Sequence, residues 1–239
     1  MKKVLIAVAV MGAACAGAQS LSVSVAPAAN FDFGVSAGYY GGLSGSASIT
    51  ARNLGNSGFG LRGEVSYTNL GDSALNDNAA IVPELPAVSL NTVAGLKAGF
   101  EGREDGRNIT LGLDGLYHLG YDAGSGLGAN LYAGGRYNFY QGSVTTQSTT
   151  GPSTLTVSTR ALGIGAGVVA TYPIAGNVVL TGDLGVDHFF DAPITLDNPD
   201  SNAGAVTYRP GDANYATVDN LANQPKTVFK AKVGLAVRF

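Results

Sequence analysis

The chain has 239 residues, of which only 13% are charged and 35 are glycine, whereas about a quarter of the residues of an average soluble domain are charged. Its net charge of −3 at pH 7 argues against a nucleic-acid partner, because such partners select strongly basic surfaces. The single cysteine excludes an internal disulfide and a thiolate metal site.

The N-terminus has the pattern of a secretory signal peptide. Lys2 and Lys3 precede the apolar run Val4–Ala14, and Ala16–Ala18 supplies a small-residue cleavage site. The apolar run has 11 residues, which is too short for a transmembrane helix of about 20. We therefore expect residues 1–18 to be removed on export, with a lipoprotein acylated on Cys15 as the alternative.

Eight later segments alternate between apolar and polar residues, which is the period of a β-strand with two different faces. Most have 10 to 14 residues, close to the roughly 9–11 of a tilted transmembrane strand and longer than the usual 5–6 of soluble proteins. The segments are Ser44–Asn53, Phe59–Thr68, Leu90–Glu101, Asn108–His118, Ala129–Phe139, Arg160–Tyr172, Asn177–Phe190 and Lys230–Phe239.

This pattern predicts an all-β fold, an antiparallel transmembrane β-barrel over residues 44–239. Eight strands are expected, with ten as the alternative. Residues 19–43 are expected to lead into the barrel, although Phe31–Tyr39 also alternates and would supply an extra strand.

The connections between the segments divide into short and long ones. Leu54–Gly58, Gly102–Arg107 and Pro173–Gly176 are short, whereas Asn69–Ser89, Gln141–Thr159 and Asp191–Pro225 are long and polar. Outer-membrane barrels have short periplasmic turns and longer outer loops. Counting strands back from Phe239 places Gln141–Thr159 and Asp191–Pro225 outside, but it places Asn69–Ser89 at the opposite end.

The terminal strand carries Val233, Leu235, Val237 and a final Phe239 on one face. This ending, together with the signal peptide and the alternating strands, resembles the small bacterial outer-membrane barrels of the OmpX and OmpA-transmembrane type. The resemblance implies location in the outer membrane, contact with its lipid, and recognition of these four residues by the barrel-assembly machinery.

If the polar face of each strand points inward, twelve charged side chains share the lumen. They are Arg52, Arg62, Glu64, Lys97, Glu101, Asp114, Arg136, Asp183, Asp187, Lys230, Lys232 and Arg238. Unpaired charges inside a narrow tube would cost much desolvation energy. Ion pairs that plug the tube are therefore expected, and a polar path for small solutes is the alternative.

The functional prediction is a structural or surface-interaction barrel that acts through the polar loops 141–159 and 191–225 on an extracellular ligand or protein. The alternative is a porin-like channel for small solutes. Neither His118 nor His188 has a serine at catalytic spacing, so no enzyme activity is predicted. Asp197, Asp200 and Asp212 lack the spacing of a calcium loop. No metal or cofactor is predicted.

Overall fold

The structure is a computed structural model that describes residues 30–71, 102–121, 126–148, 151–197, 204–222 and 224–239. Within these residues lie ten strands, one 3-10 turn at Leu54–Asn56 and one helix, α1 (Tyr215–Leu221). The strands are β1 (Asn30–Tyr40), β2 (Leu43–Arg52), β3 (Phe59–Gly71), β4 (Gly102–Tyr121), β5 (Gly128–Ser148), β6 (Gly151–Ala175), β7 (Val178–Phe189), β8 (Ile194–Asp197), β9 (Val206–Tyr208) and β10 (Thr227–Arg238).

Strands β1–β7 and β10 form a closed antiparallel barrel. Each of β1 to β7 pairs with its neighbour in sequence, β7 pairs with β10, and β10 returns to β1. Asp32 of β1 lies opposite Arg238 on one side and Thr50 on the other. Closure leaves no free edge in the barrel wall. The predicted fold class and the count of eight barrel strands are confirmed.

The predicted start of the barrel at residue 44 is wrong. The run Phe31–Tyr39 is not a lead-in but most of β1, the strand that closes the wall between β2 and β10. Alternation shows that a segment has two faces, but it does not show which strands the segment pairs with. Of the predicted strands, Leu90–Glu101 lies outside the described residues, and the predicted turn Gly102–Arg107 forms the first part of β4.

The barrel has two different ends. The turn end carries the 3-10 turn, the β6–β7 turn at Gly176 and Asn177, and the terminal Phe239. The loop end carries the β1–β2 turn, the tip of the β5–β6 hairpin and residues 190–226. Strand β3 finishes and β4 starts at the loop end, where Gly71 lies opposite Gly106. The long connection after Asn69 therefore leaves from the loop end. The count back from Phe239 had placed it at the other end because it included Leu90–Glu101 as a barrel strand, whereas β3 pairs directly with β4 in the wall.

The β5–β6 hairpin continues beyond the barrel as a paired extension to Ser148 and Gly151. Much of the predicted loop Gln141–Thr159 is therefore paired strand, in which Gly151 and Pro152 lie opposite Ser148 and Gln147. Strand β8 adds to β6, and β9 adds to β8. The predicted loop Asp191–Pro225 therefore contains β8, β9 and α1, rather than irregular structure alone.

Polarity across the barrel wall is the reverse of that in a soluble protein. Large apolar side chains such as Leu162, Leu184 and Phe229 are exposed, whereas Asp114, Asp187 and other charged groups are buried in the lumen. Soluble monomers rarely expose a continuous apolar surface of this extent. The wall therefore fits an apolar solvent on its outside.

Among the described residues, no helix has the length and apolarity required to cross a membrane.

Candidate functional site

The centre of the lumen holds four cations and four carboxylates whose charges balance. Alternation brings each of them to the inner face of its strand, and the register places them in adjacent layers near the middle of the barrel. They are Arg62, Arg136, Lys230 and Lys232, with Glu64, Asp114, Asp183 and Asp187. We call this set the lumen network.

Arg62 joins two sides of the lumen. Its Nε and Nη2 donate to one carboxylate oxygen of Asp114 at 3.0 and 2.8 Å, and its Nη1 donates to Asp183 at 2.8 Å. Asp114 is completely buried. Because a charge without a partner is costly in such surroundings, these bonds are a condition for placing the groups inside.

Arg136 repeats the arrangement one layer closer to the loop end. It contacts Asp114 at 2.5 Å through Nη1 and Asp187 at 3.0 Å through Nε. The second oxygen of Asp187 accepts a hydrogen bond of 2.6 Å from the Tyr40 hydroxyl. Asp114 therefore bridges the two arginines.

Two lysines of β10 supply the remaining positive charge. Lys232 contacts Glu64 at 3.0 Å and donates to the Ser66 hydroxyl at 2.8 Å. Lys230 lies 3.4 Å from Glu64 and 3.3 Å from Asp183. Glu64 thus connects β3 to β10 across the lumen.

Tyr132 packs in the middle of the network. The Arg62 guanidinium lies 4.2 Å and the Lys230 ammonium 4.7 Å from its ring centroid, which are cation–π distances. The Tyr132 hydroxyl donates to Asp183 at 3.0 Å. One aromatic ring therefore fills the space that would otherwise separate the charges.

Glycines on the inner face make room for these side chains. A Cβ added at Gly165 would collide with an Asp187 oxygen and with the Arg136 guanidinium, and one added at Gly185 would collide with the Tyr132 hydroxyl. The glycine-rich strand β6 is therefore a consequence of packing large polar groups against its backbone.

Two apolar clusters close the lumen on the loop-end side of the network. The first spans the lumen from β1 to β6, β7 and β10 and comprises Tyr40, Ala161, Phe189, Ala192 and Val228. The second packs α1 against β5, β6 and β8 and comprises Tyr140, Val157, Ile194, Tyr215, Val218 and Ala222. We refer to β8, β9 and α1, together with the described residues between them, as the cap.

Ion pairs hold the cap to the start of β10. Lys226 contacts Asp191 at 2.5 Å and Asp219 of α1 at 3.0 Å. Partial burial acts to lower the pKa of Lys226, but hydrogen bonds to the two carboxylates outweigh it and raise that pKa above its ordinary value. The ammonium therefore stays charged across the physiological range.

A cavity of about 380 Å³ occupies the turn-end half of the lumen. At its mouth, Arg52 contacts Asp32 at 2.7 Å and Arg238 lies 4.0 Å from the same carboxylate. Its inner end is formed by Arg62, Glu64 and other residues of the network. At the level of the network itself, a second space of about 10 Å³ remains, which is room for about one water molecule.

Ten of the twelve charges assigned to the lumen from sequence lie among the described residues. Eight form the lumen network, and Arg52 and Arg238 stand at the mouth of the cavity. Lys97 and Glu101 lie outside the described residues. The terminal residues Val233, Leu235 and Phe239 are exposed on the outer face, and Val237 is half-buried.

Sequence reasoning missed Asp32, Tyr40 and Tyr132 as members of the interior. Asp32 and Tyr40 lie within residues 19–43, which were assigned to the lead-in, so recognising β1 as a barrel strand would have found both. Tyr132 shares its inward parity with Asn130 and Arg136, and this parity is the signal that identifies it.

The two histidines lie at opposite ends of the barrel and contact neutral partners. His118 Nδ1 is 3.1 Å from Asn130 at the turn end, and His188 Nδ1 is 3.0 Å from Thr227 at the loop end. Within the described part of the chain, no cluster of histidine, cysteine and carboxylate groups has metal-binding geometry.

No protein-family model matches the chain, and no curated protein is similar enough to count as a relative. Among solved structures, a major outer membrane protein from Thermus thermophilus is 33% identical with a TM-score of 0.77, over 89% of this chain and 100% of that one.

Other similar structures are more distant. CarO of Acinetobacter baumannii has 14% identity and a TM-score of 0.42, over 88% of this chain and 97% of that one. The outer membrane protease OmpT of Escherichia coli has 9% identity and a TM-score of 0.43, over 92% and 99%.

The identity, the complete coverage of the Thermus protein and the shared barrel lead to one conclusion. The chain belongs to the family of the Thermus thermophilus major outer membrane protein and is a bacterial outer-membrane protein that crosses the membrane as an eight-stranded antiparallel β-barrel.

Proposed function

We propose that this protein is a non-conducting membrane anchor that holds its cap and its β5–β6 hairpin at the cell surface, where they contact an extracellular ligand or protein. The observation that carries the proposal is the lumen network, in which four cations and four carboxylates balance and fill the barrel centre. A non-conducting anchor needs an interior filled by side chains and a folded surface at its outer end.

Passage of a solute would require the network to open. Separating Arg62 from Asp114 and Asp183 would leave charged groups unpaired in a narrow lumen, which costs several kcal/mol for each buried pair. The apolar clusters at the loop end are a second obstacle, since Tyr40 and Phe189 stand across the route. An eight-stranded barrel is only wide enough to be filled by its own side chains.

The cap and the hairpin supply the surface for interaction. Short turns of outer-membrane barrels face the periplasm and long loops face outward, so the loop end is expected outside. Strand β5 of the hairpin is paired on both sides, with β4 and β6, and so offers no free edge for strand addition. The edge that ends the described sheet is β9 (Val206–Tyr208), which is where a partner strand would add.

The channel is the second candidate, and the turn-end cavity is the observation that favours it. This cavity extends from Asp32 at the mouth to Arg62 at the network. Water in it would cover part of the path across the membrane, which leaves the network and the apolar clusters as the barrier.

Conductance of the purified protein in planar lipid bilayers tests the proposal. We expect no stable single-channel steps from the parent protein, and none from Arg209→Ala, a matched control in the cap. Large, stable steps in the parent that change in size with Arg62→Ala would establish the channel and overturn the proposal. Heat-modifiable gel migration of each preparation verifies that the barrel is folded.

A membrane anchor of this kind must first be assembled into the outer membrane. The outward residues Val233, Leu235 and Phe239 of the terminal segment present an apolar ridge that ends in an aromatic ring. This ridge supports recognition of the terminal strand by the barrel-assembly machinery before β10 pairs with β1.

A further inference from the structure

The outer face of three adjacent strands changes from apolar to polar at one level near the loop end. On β4, β5 and β6 the outward apolar series ends at Ile109, Phe139 and Leu162. Two residues further toward the loop end, the outward positions are Arg107, Gln141 and Arg160. Two of these three first polar positions are therefore permanent cations.

The strand register brings these residues together. Arg107 lies opposite Gln141, and Arg160 lies opposite Phe139. Neighbouring strands are about 4.8 Å apart and two residues span about 6.8 Å along a strand, so the backbones of Arg107 and Arg160 stand about 12 Å apart across β5. Arg107 donates to Gln141 through Nε at 3.0 Å and also through Nη2. This contact ties the Arg107 guanidinium to the side chain of Gln141 on β5.

Outward-facing cations occur on one side and at one end of the described barrel wall. The corresponding first polar positions on β3, β7 and β10 are Asn69, His188 and Thr227. At the turn end, Arg52 and Arg238 point into the lumen instead. Packing inside the barrel therefore cannot account for the arginines on β4 and β6.

Two carboxylates and a third arginine share this outer face, farther from the apolar belt, which is the band of outward apolar residues that ends at Ile109, Phe139 and Leu162. Arg103 and Asp105 precede Arg107 along β4, and Asp197 lies on β8 opposite Thr156. Asp105 is exposed, so water screens its effect on Arg107. Arg107 and Arg160 are the cations nearest the apolar belt.

We propose that Arg107 and Arg160 bind the phosphate-bearing headgroup of an anionic lipid in the outer leaflet, with Gln141 orienting Arg107. Continuity with the lipid-facing wall identifies the occupant: acyl chains that cover Ile109, Phe139 and Leu162 place their headgroups at the level of these two arginines. A guanidinium presents paired N–H donors that match phosphate oxygens. A free anion would gain nothing from the apolar rows below.

A tryptophan reporter tests this inference directly, because the chain has no tryptophan. Phe139→Trp places the reporter between the two arginines, and Phe59→Trp places a matched one on the outer wall at the turn end, where Phe59 is exposed. Each variant is reconstituted in vesicles of phosphatidylcholine with increasing brominated phosphatidylglycerol. Quenching of tryptophan fluorescence then gives the local preference for the anionic lipid.

We expect the reporter at position 139 to show a preference for the anionic lipid. The double substitution Arg107→Gln and Arg160→Gln should reduce this preference, by roughly fivefold for each arginine removed. Arg209→Gln, which removes a cation from the cap, should leave it unchanged, and position 59 should show no preference. The proposal is overturned if the parent has no preference at 139, if the double substitution leaves that preference intact, or if position 59 shows it equally. Heat-modifiable migration confirms folding of each variant. The quenching measurement does not depend on conductance, so its result is independent of the test of the proposed function.

Discussion

At the scale of single residues, Asp114 is the centre of the interior. It is the only carboxylate of the lumen network that bridges both arginines, with Arg62 at 2.8 Å and Arg136 at 2.5 Å. Asn108 and Asn138 are also fully buried nearby on the inner faces of β4 and β5. The barrel interior therefore depends on polar contacts where a soluble protein would use apolar packing.

We predict that Asp114→Asn destabilises the barrel by about 3–5 kcal/mol, because it leaves two buried guanidinium groups with an excess of positive charge. The measurement is the free energy of unfolding in urea, with the protein in lipid vesicles. Asp105→Asn is the matched control on the same strand, because Asp105 is exposed on the outer face and should change stability by less than about 0.5 kcal/mol. Equal effects of the two substitutions would show that the network contributes little.

At the scale of the strand, β1 decides whether the sheet can close. It forms nine residue pairs with β10 and ten with β2, and its Asp32 contributes the carboxylate at the cavity mouth. Without it, β2 and β10 would be two unpaired edges within the membrane, where backbone groups have no water to bond.

Deletion of residues 30–40 should therefore abolish barrel formation, seen as loss of heat-modifiable migration and of protease resistance in lipid. Deletion of residues 145–154, a segment of similar length in the β5–β6 hairpin, should preserve both. It removes only the part of the extension beyond Thr156, where β8 begins to pair with β6. A folded barrel after removal of β1 would mean that the wall closes by another pairing.

At the scale of the whole molecule, the two ends of the barrel differ in structure and in expected location. The loop end is closed by apolar clusters and the cap, whereas the turn end opens into the cavity beside Asp32. We therefore expect the structured cap to face the exterior and the cavity to face the periplasm.

Cysteine labelling tests this orientation. A Thr207→Cys variant, on β9 of the cap, should react in intact cells with a maleimide that cannot cross the outer membrane. Asn53→Cys at the turn end should react only after the membrane is permeabilised; both positions are exposed. The lone native Cys15 lies in the predicted signal peptide, which keeps the background low. Labelling of Asn53→Cys alone in intact cells would invert the orientation.

The sequence by itself determined seven of the eight barrel strands, the polarity of their faces and the class of fold. Period two is a local property, so Phe59–Thr68 or Ala129–Phe139 indicates both a strand and its apolar face without knowledge of any neighbour. The inward parity of Arg62, Asp114 and Lys230 follows in the same way, because each stands on the polar face of its own strand.

Only the tertiary structure decided which strand closes the barrel, from which end of the barrel the chain leaves after β3, and which charges meet. Arg62 contacts Asp114, 52 positions away in the sequence, and Asp183, 121 positions away. Alternation within one strand gives no information about contacts between such distant residues. These pairings depend on register and closure, and both are set by the hydrogen bonding of complete strands around the ring. The cap could not be predicted from the sequence either, because β8, β9 and α1 are too short to show a periodic pattern. Strands β8 and β9 add to the extended β6, and α1 packs against β5, β6 and β8.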